Sequence, residues 1–185
     1  MLGIPTGIQL LAGANRQALG SAVASGAAFI RVEGFAYAHV ADEGWMDACA
    51  GDLLRVRAQL QPNDPHPIQI WADVQKKHAA HAVTQDLSLA ELAQGHVFCG
   101  ADALVVTGVA TGRPINPKDL KSVQQAGVPV IVGSGVNHDN CADLATNADA
   151  LIVGSWLKKS GIWQNPVDPS RVKVLRDAID GTESL

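Results

Sequence analysis

Six short apolar runs punctuate this chain: "GIQLLA" (7–12), "AAFIRV" (27–32), "PIQIWADV" (67–74), "ADALVVTG" (101–108), "VPVIVGSG" (128–135) and "ADALIVGS" (148–155). All are rich in Val, Ile or Leu. Short unbroken runs of this kind mark strands buried on both faces, as in a parallel sheet. Helical signals fill the intervals. Asn15 opens "NRQALGSAVASG", and "DACAGDLLRVRAQL" places apolar residues at helical spacing. Ser88 and Glu91 fit a capping box for "SLAELAQGHVFCG", which Gly100 closes. Asn116 with Pro117 starts a helix that ends at Gly127; Asp168 with Pro169 starts the last one, with Val172, Leu175 and Ile179 on one face. A helix start is also expected at once after Gly133-Ser134-Gly135. Strand followed by helix, six times and without linkers, predicts one domain over 1–185 with parallel strands and right-handed crossovers.

Such a chain can form an open doubly wound sheet or a (β/α)8 TIM barrel. Strand polarity favours the barrel. "FIRVEG" puts Phe29, Arg31 and Glu33 on one face, with Ile30 and Val32 on the other. "IQIWADV" puts Gln69, Trp71 and Asp73 on one face, with Ile68, Ile70 and Ala72 on the other. An inward barrel face can carry polar groups near the strand C-termini, whereas a doubly wound sheet is apolar on both faces. A full barrel has eight units and about 250 residues. The six units here are therefore expected to be strands three to eight of an incomplete six-unit parallel βα barrel that lacks its first two units. Its first and last strands should then each lack a neighbour.

Barrel chemistry gathers at the C-terminal strand ends, with phosphate commonly held by the loops after strands seven and eight. Gly133, Ser134, Gly135, Gly154 and Ser155 occupy those positions. Glycine admits close backbone approach, and exposed N–H groups attract an anion. Ser134 and Ser155 can add hydroxyl donors, and Lys158 or Lys159 charge. The rival reading is tight turns that bind nothing. "ADVQKKHAAH" brings Asp73, Lys76, Lys77, His78 and His81 to another strand end, where Asp73 and His78 are candidates for proton transfer. Arg31 and Glu33, on one strand face, are candidates for the same site and for a buried ion pair. His39, Asp42 and Glu43 are conceivable metal ligands of undiagnostic spacing, and zinc-type cysteine pairs are absent, so no metal is assigned. Thr107, Gly108, Thr111 and Gly112 suit a ligand loop or a compact turn. P-loop, G-x-S-x-G and G-x-G-x-x-G fingerprints are missing.

Composition narrows the partners. Fourteen Lys and Arg against 18 Asp and Glu give a net charge of −4, which argues against a nucleic-acid surface. No apolar run reaches the roughly 18 residues of a membrane span, so a membrane protein is not expected. The opening residues read as a strand rather than a signal peptide. Cys49, Cys99 and Cys141 are scattered singly in expected helices, which suits reduced thiols and an intracellular home.

In the blocks "GIQLLAGANRQALGSAVASGAAFIRVEG", "VADEGWMDACAGDLLRVR", "ADVQKKHAAH", "ADALVVTGVATGRP", "VPVIVGSGVNHDNCADL" and "ADALIVGSWLKKSGIWQNPVDPSRV" the chain resembles the BtpA/SgcQ family, from about residue 3 to 180. The resemblance implies a TIM-barrel, phosphate-binding-like protein whose relatives carry two further βα units before "GIQLL". It implies two functional classes. One is a small-molecule enzyme or binder acting on a phosphorylated ligand, as for members found with sugar-metabolism proteins. The other is a non-catalytic assembly or stability factor for a membrane complex, as for photosystem I in cyanobacteria. A cytoplasmic rather than mitochondrial location and a homo-oligomer are compatible with either class.

Overall fold

The computed structural model describes residues 3–108 and 115–181. In chain order the elements are β1 (Gly7–Ile8), α1 (Asn15–Ser25), β2 (Phe29–Val32), β3 (His39–Ala41), β4 (Gly44–Met46), α2 (Ala50–Leu60), β5 (Gln69–Asp73), β6 (Ala79–Ala80), α3 (Leu89–Phe98), β7 (Ala103–Val106), α4 (Pro117–Gln124), β8 (Val130–Val132), α5 (Cys141–Asn147), β9 (Ala150–Leu151) and α6 (Pro169–Asp180). Six strands form one parallel sheet in the order β1-β2-β5-β7-β8-β9, curled into a half-barrel. The edge strands β1 and β9 each pair on one side only.

The two sheet faces carry different chemistry. Ile30, Val32, Ile70, Ala72, Leu104, Val106, Val130 and Val132 point outward into the main core with Leu19, Leu53, Leu92, Val123 and Leu144 from the helices. Ala103, Val105 and Ile131 face inward, packed with Trp71, Ala150 and Ile152. Phe29 stacks on Trp71 at a ring separation of 3.6 Å on that inner face. Further along the same face, Arg31 and Asp73 replace apolar residues.

Helix starts follow the sequence signals closely. Ser88 and Glu91 make the reciprocal capping box, and Asn116 and Asp168 accept from Lys118 N–H and Ser170 N–H. Two expectations need correction, and one element goes beyond them. After Gly133-Ser134-Gly135 the chain makes a turn, tied by Asn137 and Asn140, before α5 starts at Cys141. Local asparagine side-chain bonds compete there with helix initiation. Cys49 and Cys99 flank helices rather than sit within them. Residues 39–46 and 79–80 form a second, antiparallel sheet, β4-β3-β6, whose strands of two or three residues are too short to show a period.

The repeated "ADAL" is a structural lock at the N-terminal strand ends. Asp102 Oδ2 accepts the Ile70 N–H at 2.8 Å and pairs with Arg57, while Asp149 Oδ2 accepts the Val130 N–H at 2.8 Å. Each carboxylate thereby satisfies a donor on the preceding strand. Removing such an acceptor from a buried donor costs about 1–3 kcal/mol. Asp149→Ala should lower stability by about that amount in chemical denaturation, and Asp149→Asn, which keeps an acceptor oxygen, by clearly less.

Candidate functional site

The polar groups at the C-terminal strand ends line a two-part cleft. Its acidic half, about 310 Å3, is walled by Arg31, Glu33, Asp73, Lys76, Lys77 and His78, with Gln9, Asp42 and Glu43 at its sides. Parallel pairing of β2 with β5 puts Arg31 beside the end of β5. The Arg31 guanidinium donates from Nε (3.1 Å) and Nη2 (2.9 Å) to Asp73 Oδ1. Arg31 therefore pairs across strands with Asp73 and not along its strand with Glu33. Residues two apart on a strand stand about 7 Å apart, too far for direct contact at the Cβ level, whereas the arginine fork reaches the neighbouring strand end. Glu33 instead accepts from Gln9 Nε2 at 3.1 Å and lies 3.8 Å from Lys76 Nζ.

Lys76 is the hub of this half. Its buried ammonium also bonds Glu43 and lies 3.6 Å from Asp42 Oδ1. Burial works against its charge, but Glu43, Glu33 and Asp42 outweigh burial and raise its pKa. Burial raises the Glu33 carboxyl against the opposing pull of Lys76 and Arg31. Burial likewise pushes Asp73 up to about 6, although Arg31 opposes the shift. Lys77 is lowered by burial and by Arg31, with Asp73 acting the other way. Asp73 and Lys77 are thus moved toward neutrality from opposite sides, an arrangement suited to proton exchange. His78 has a left-handed backbone (φ 55°), uncommon outside glycine, where the chain turns from β5 into β6.

The second half, about 610 Å3, is lined by Gly133, Ser134, Gly135, Gly154 and Ser155 at the ends of β8 and β9. Arg31 and Lys77 line it too, so the halves meet at these two cations. A Cβ on Gly133 would lie 2.5 Å from Val105 Cγ1 and 3.2 Å from Arg31 Nη2; only glycine fits where Arg31 crosses the strand. Ser134 Oγ accepts the Gly108 N–H at 3.2 Å, which leaves its own hydroxyl proton to donate. Among the described residues no carboxylate lines this half. Lys158 and Lys159 do not line it either; they lie in the hairpin beyond. Thr111 and Gly112 fall outside the described residues. Sequence reasoning missed Gln9, which lies in the expected strand 7–12 but just past β1, and Asn137, Trp156, Ile162 and Trp163, which lie in turns with no periodic signal.

Behind the acidic half lies a cavity of about 10 Å3, room for about one water, lined by His39, His81, His96, Asp73 and Lys76 among others. The His39 and His96 rings bond backbone groups of Tyr37 and Val74. Their other nitrogens, Nε2 and Nδ1, have no hydrogen-bond partner among the described residues. Burial holds His96 down at about 4, so it is neutral at pH 7. His39 therefore lies behind the cleft, apart from Asp42 and Glu43, and no three His, Cys, Asp or Glu among the described residues are arranged to hold a metal.

The Asp73 shift fixes a pH dependence. Folded Asp73 keeps its proton up to about pH 6, against a model-peptide value of 3.8. Between those values the folded chain binds more protons than the unfolded one, so this group's contribution to stability falls as pH rises through the window. The stability of wild type minus that of Asp73→Asn should fall by roughly 2 kcal/mol from pH 4 to pH 6.5, most of the full shift at about 1.4 kcal/mol per pKa unit. Urea melts of both proteins across this range measure it; a flat difference contradicts the shift.

The chain is 46% identical over 168 residues to an uncharacterized protein of Caenorhabditis elegans whose name places it in mitochondria; the match covers 90% of the chain and 59% of that protein. It is 36% identical over 180 residues to the photosystem I biogenesis protein BtpA of Synechocystis, covering 95% of the chain and 60% of that protein. The chain thus spans about three fifths of the length of these relatives. Among solved structures, thiamine phosphate pyrophosphorylase from Pyrococcus furiosus superposes with a TM-score of 0.59 at 18% identity, over 95% of this chain and 82% of that one, a likeness of TIM-barrel fold. No helix among the described residues is long and apolar enough to cross a membrane. The family model described as "BtpA family" matches residues 1–181, and with relatives at this identity the chain belongs to the BtpA family.

Proposed function

We propose that this protein binds a phosphorylated small molecule at the C-terminal strand ends and that the acidic half of the cleft exchanges protons with its non-phosphate end. The observation that carries this reading is the distribution of carboxylates over two adjoining halves that share Arg31 and Lys77. Gly133, Ser134, Gly135, Gly154 and Ser155 share a carboxylate-free half with Arg31 and Lys77, while Asp73, Glu33, Asp42 and Glu43 occupy the other half. An anion is favoured where backbone donors and the two shared cations meet no carboxylate, and disfavoured where four carboxylates outnumber the cations. The ligand is thereby oriented, with its phosphate at β8 and β9 and its remainder toward Asp73, Lys77 and His78. Asp73 and Lys77 then serve as the acid–base pair, held in register by Arg31.

A second reading, a non-catalytic assembly factor, is supported by the name of the Synechocystis relative. It is also supported by Val40 and Trp45, paired opposite each other on β3 and β4 and both exposed. The two readings respond differently to charge in the cleft. Lys77→Met and Ser155→Asp should each weaken inorganic phosphate binding about tenfold or more by calorimetry, since hydrogen bonds to charged groups contribute about 1.5–3 kcal/mol. Unchanged phosphate affinity in both variants, with melting temperatures held, removes the anion reading. Loss of a protein partner on Trp45→Ala, with phosphate binding intact, would favour the second.

A further inference from the structure

We propose that the ligand of this cleft is a phosphate ester carrying a flat heteroaromatic ring, and that Trp163 is the platform on which the ring stacks. The inference rests on the anion reading above and adds the chemistry of the ligand's organic part.

Trp163 is 68% exposed, and no ring or cation partner meets its indole among the described residues. The other tryptophan of this half is already engaged. Arg171 lies over the Trp156 ring at 4.3 Å, and His138 stacks on it at 6.3 Å. The segment bearing Trp163 is built rather than loose. Lys158 bridges Val167 in antiparallel fashion, Lys159 N–H donates to Pro166 O at 3.0 Å, and Asn165 Nδ2 donates to Lys159 O at 2.9 Å. At its tip Ser160 (φ 58°) and Gly161 (φ 71°) are both left-handed. For serine that backbone is strained, and such strain persists only where the surroundings impose it. The result is a closed hairpin whose turn sets Ile162 and Trp163 on the wall of the cleft.

The surroundings of Trp163 distinguish a heteroaromatic ring from a sugar. Both can stack on indole, but a sugar presents several hydroxyls that need polar partners. Val136, Ile152, Trp156 and Ile162 line this half with Trp163, no carboxylate does among the described residues, and Asn137 is the one side-chain amide. The backbone N–H and side-chain oxygen of Asn137 are already committed to the Asn140 turn. A planar, weakly hydrated ring suits such a wall, and a large face of π-surface is what an unpartnered tryptophan offers.

Calorimetric titration of the full chain with inorganic phosphate, ribose phosphate, and uridine and adenosine monophosphates tests this. Both nucleotides should bind at least about tenfold tighter than ribose phosphate, in line with aromatic–base stacking. Trp163→Ala should abolish that advantage while leaving ribose phosphate affinity and the melting temperature unchanged, and Trp163→Phe should restore most of it. Equal binding of ribose phosphate and the nucleotides, or an indifferent Trp163→Ala, overturns the stacking inference and leaves the anion site standing. No binding of any of the four probes overturns both.

Discussion

The contact in which Arg31 donates twice to Asp73 Oδ1 is the hinge on which the site depends. It is a poor candidate for a stabilising device: with side chains 16% and 3% exposed, both charges have lost most of their water. The attraction within a buried pair roughly offsets that desolvation and seldom exceeds it. What the contact supplies is placement. It joins the ends of β2 and β5, fills the space that Gly133 vacates on β8, and presents the guanidinium to both halves of the cleft. Asp73 is left with a carboxyl perturbed by burial and Lys77 with a depressed ammonium, each acting on the other.

The strands reveal how one sequence pattern encodes two jobs. In "ADALVVTG" and "ADALIVGS" the aspartate lies at the N-terminal end and small residues lie at the C-terminal end. Asp102 and Asp149 are spent on backbone N–H groups of neighbouring strands, so their carboxylates hold the sheet's register. At the opposite ends the residues are small, and the backbone of Gly133 to Gly135 and Gly154 borders the cleft. Barrel-type folds commonly divide stability and chemistry between their two rims in this way.

The parallel strands were legible because each is flanked by buried neighbours and needs an unbroken apolar run. The alternation of Phe29, Arg31 and Glu33 against Ile30 and Val32 also told which face is inner, and the capping residues Ser88, Asn116 and Asp168 told where helices start. Two parts of the site were not legible. The partner of Arg31 depends on which strands are neighbours and on their relative height, and pairing within "RVE" was the nearer but wrong choice. The β3-β4-β6 sheet depends on residues 39–46 meeting residues 79–80, a long-range pairing of strands with no period of their own. Its consequence is that Asp42 and Glu43, which looked like free ligands, are drawn onto Lys76.

That same sheet explains why Lys76 and Lys77, adjacent in sequence, end with opposite electrostatics. Pairing of Val40 with Ala80 and Ala41 with Ala79 brings the β3–β4 turn over the segment that follows β5. Lys76 points toward the turn and meets Glu43, Asp42 and Glu33, which stabilise its charged form and balance it locally. Lys77 lines the cleft, where burial and Arg31 lower it and Asp73 is already bound to that arginine. One lysine is thereby consumed in holding the small sheet against the barrel, and the other is left at the junction of the two halves. The antiparallel sheet is therefore part of the site's electrostatics: without it Lys76 would lose two of its carboxylates, and its charge would compete with Lys77 and Arg31 for the same anion.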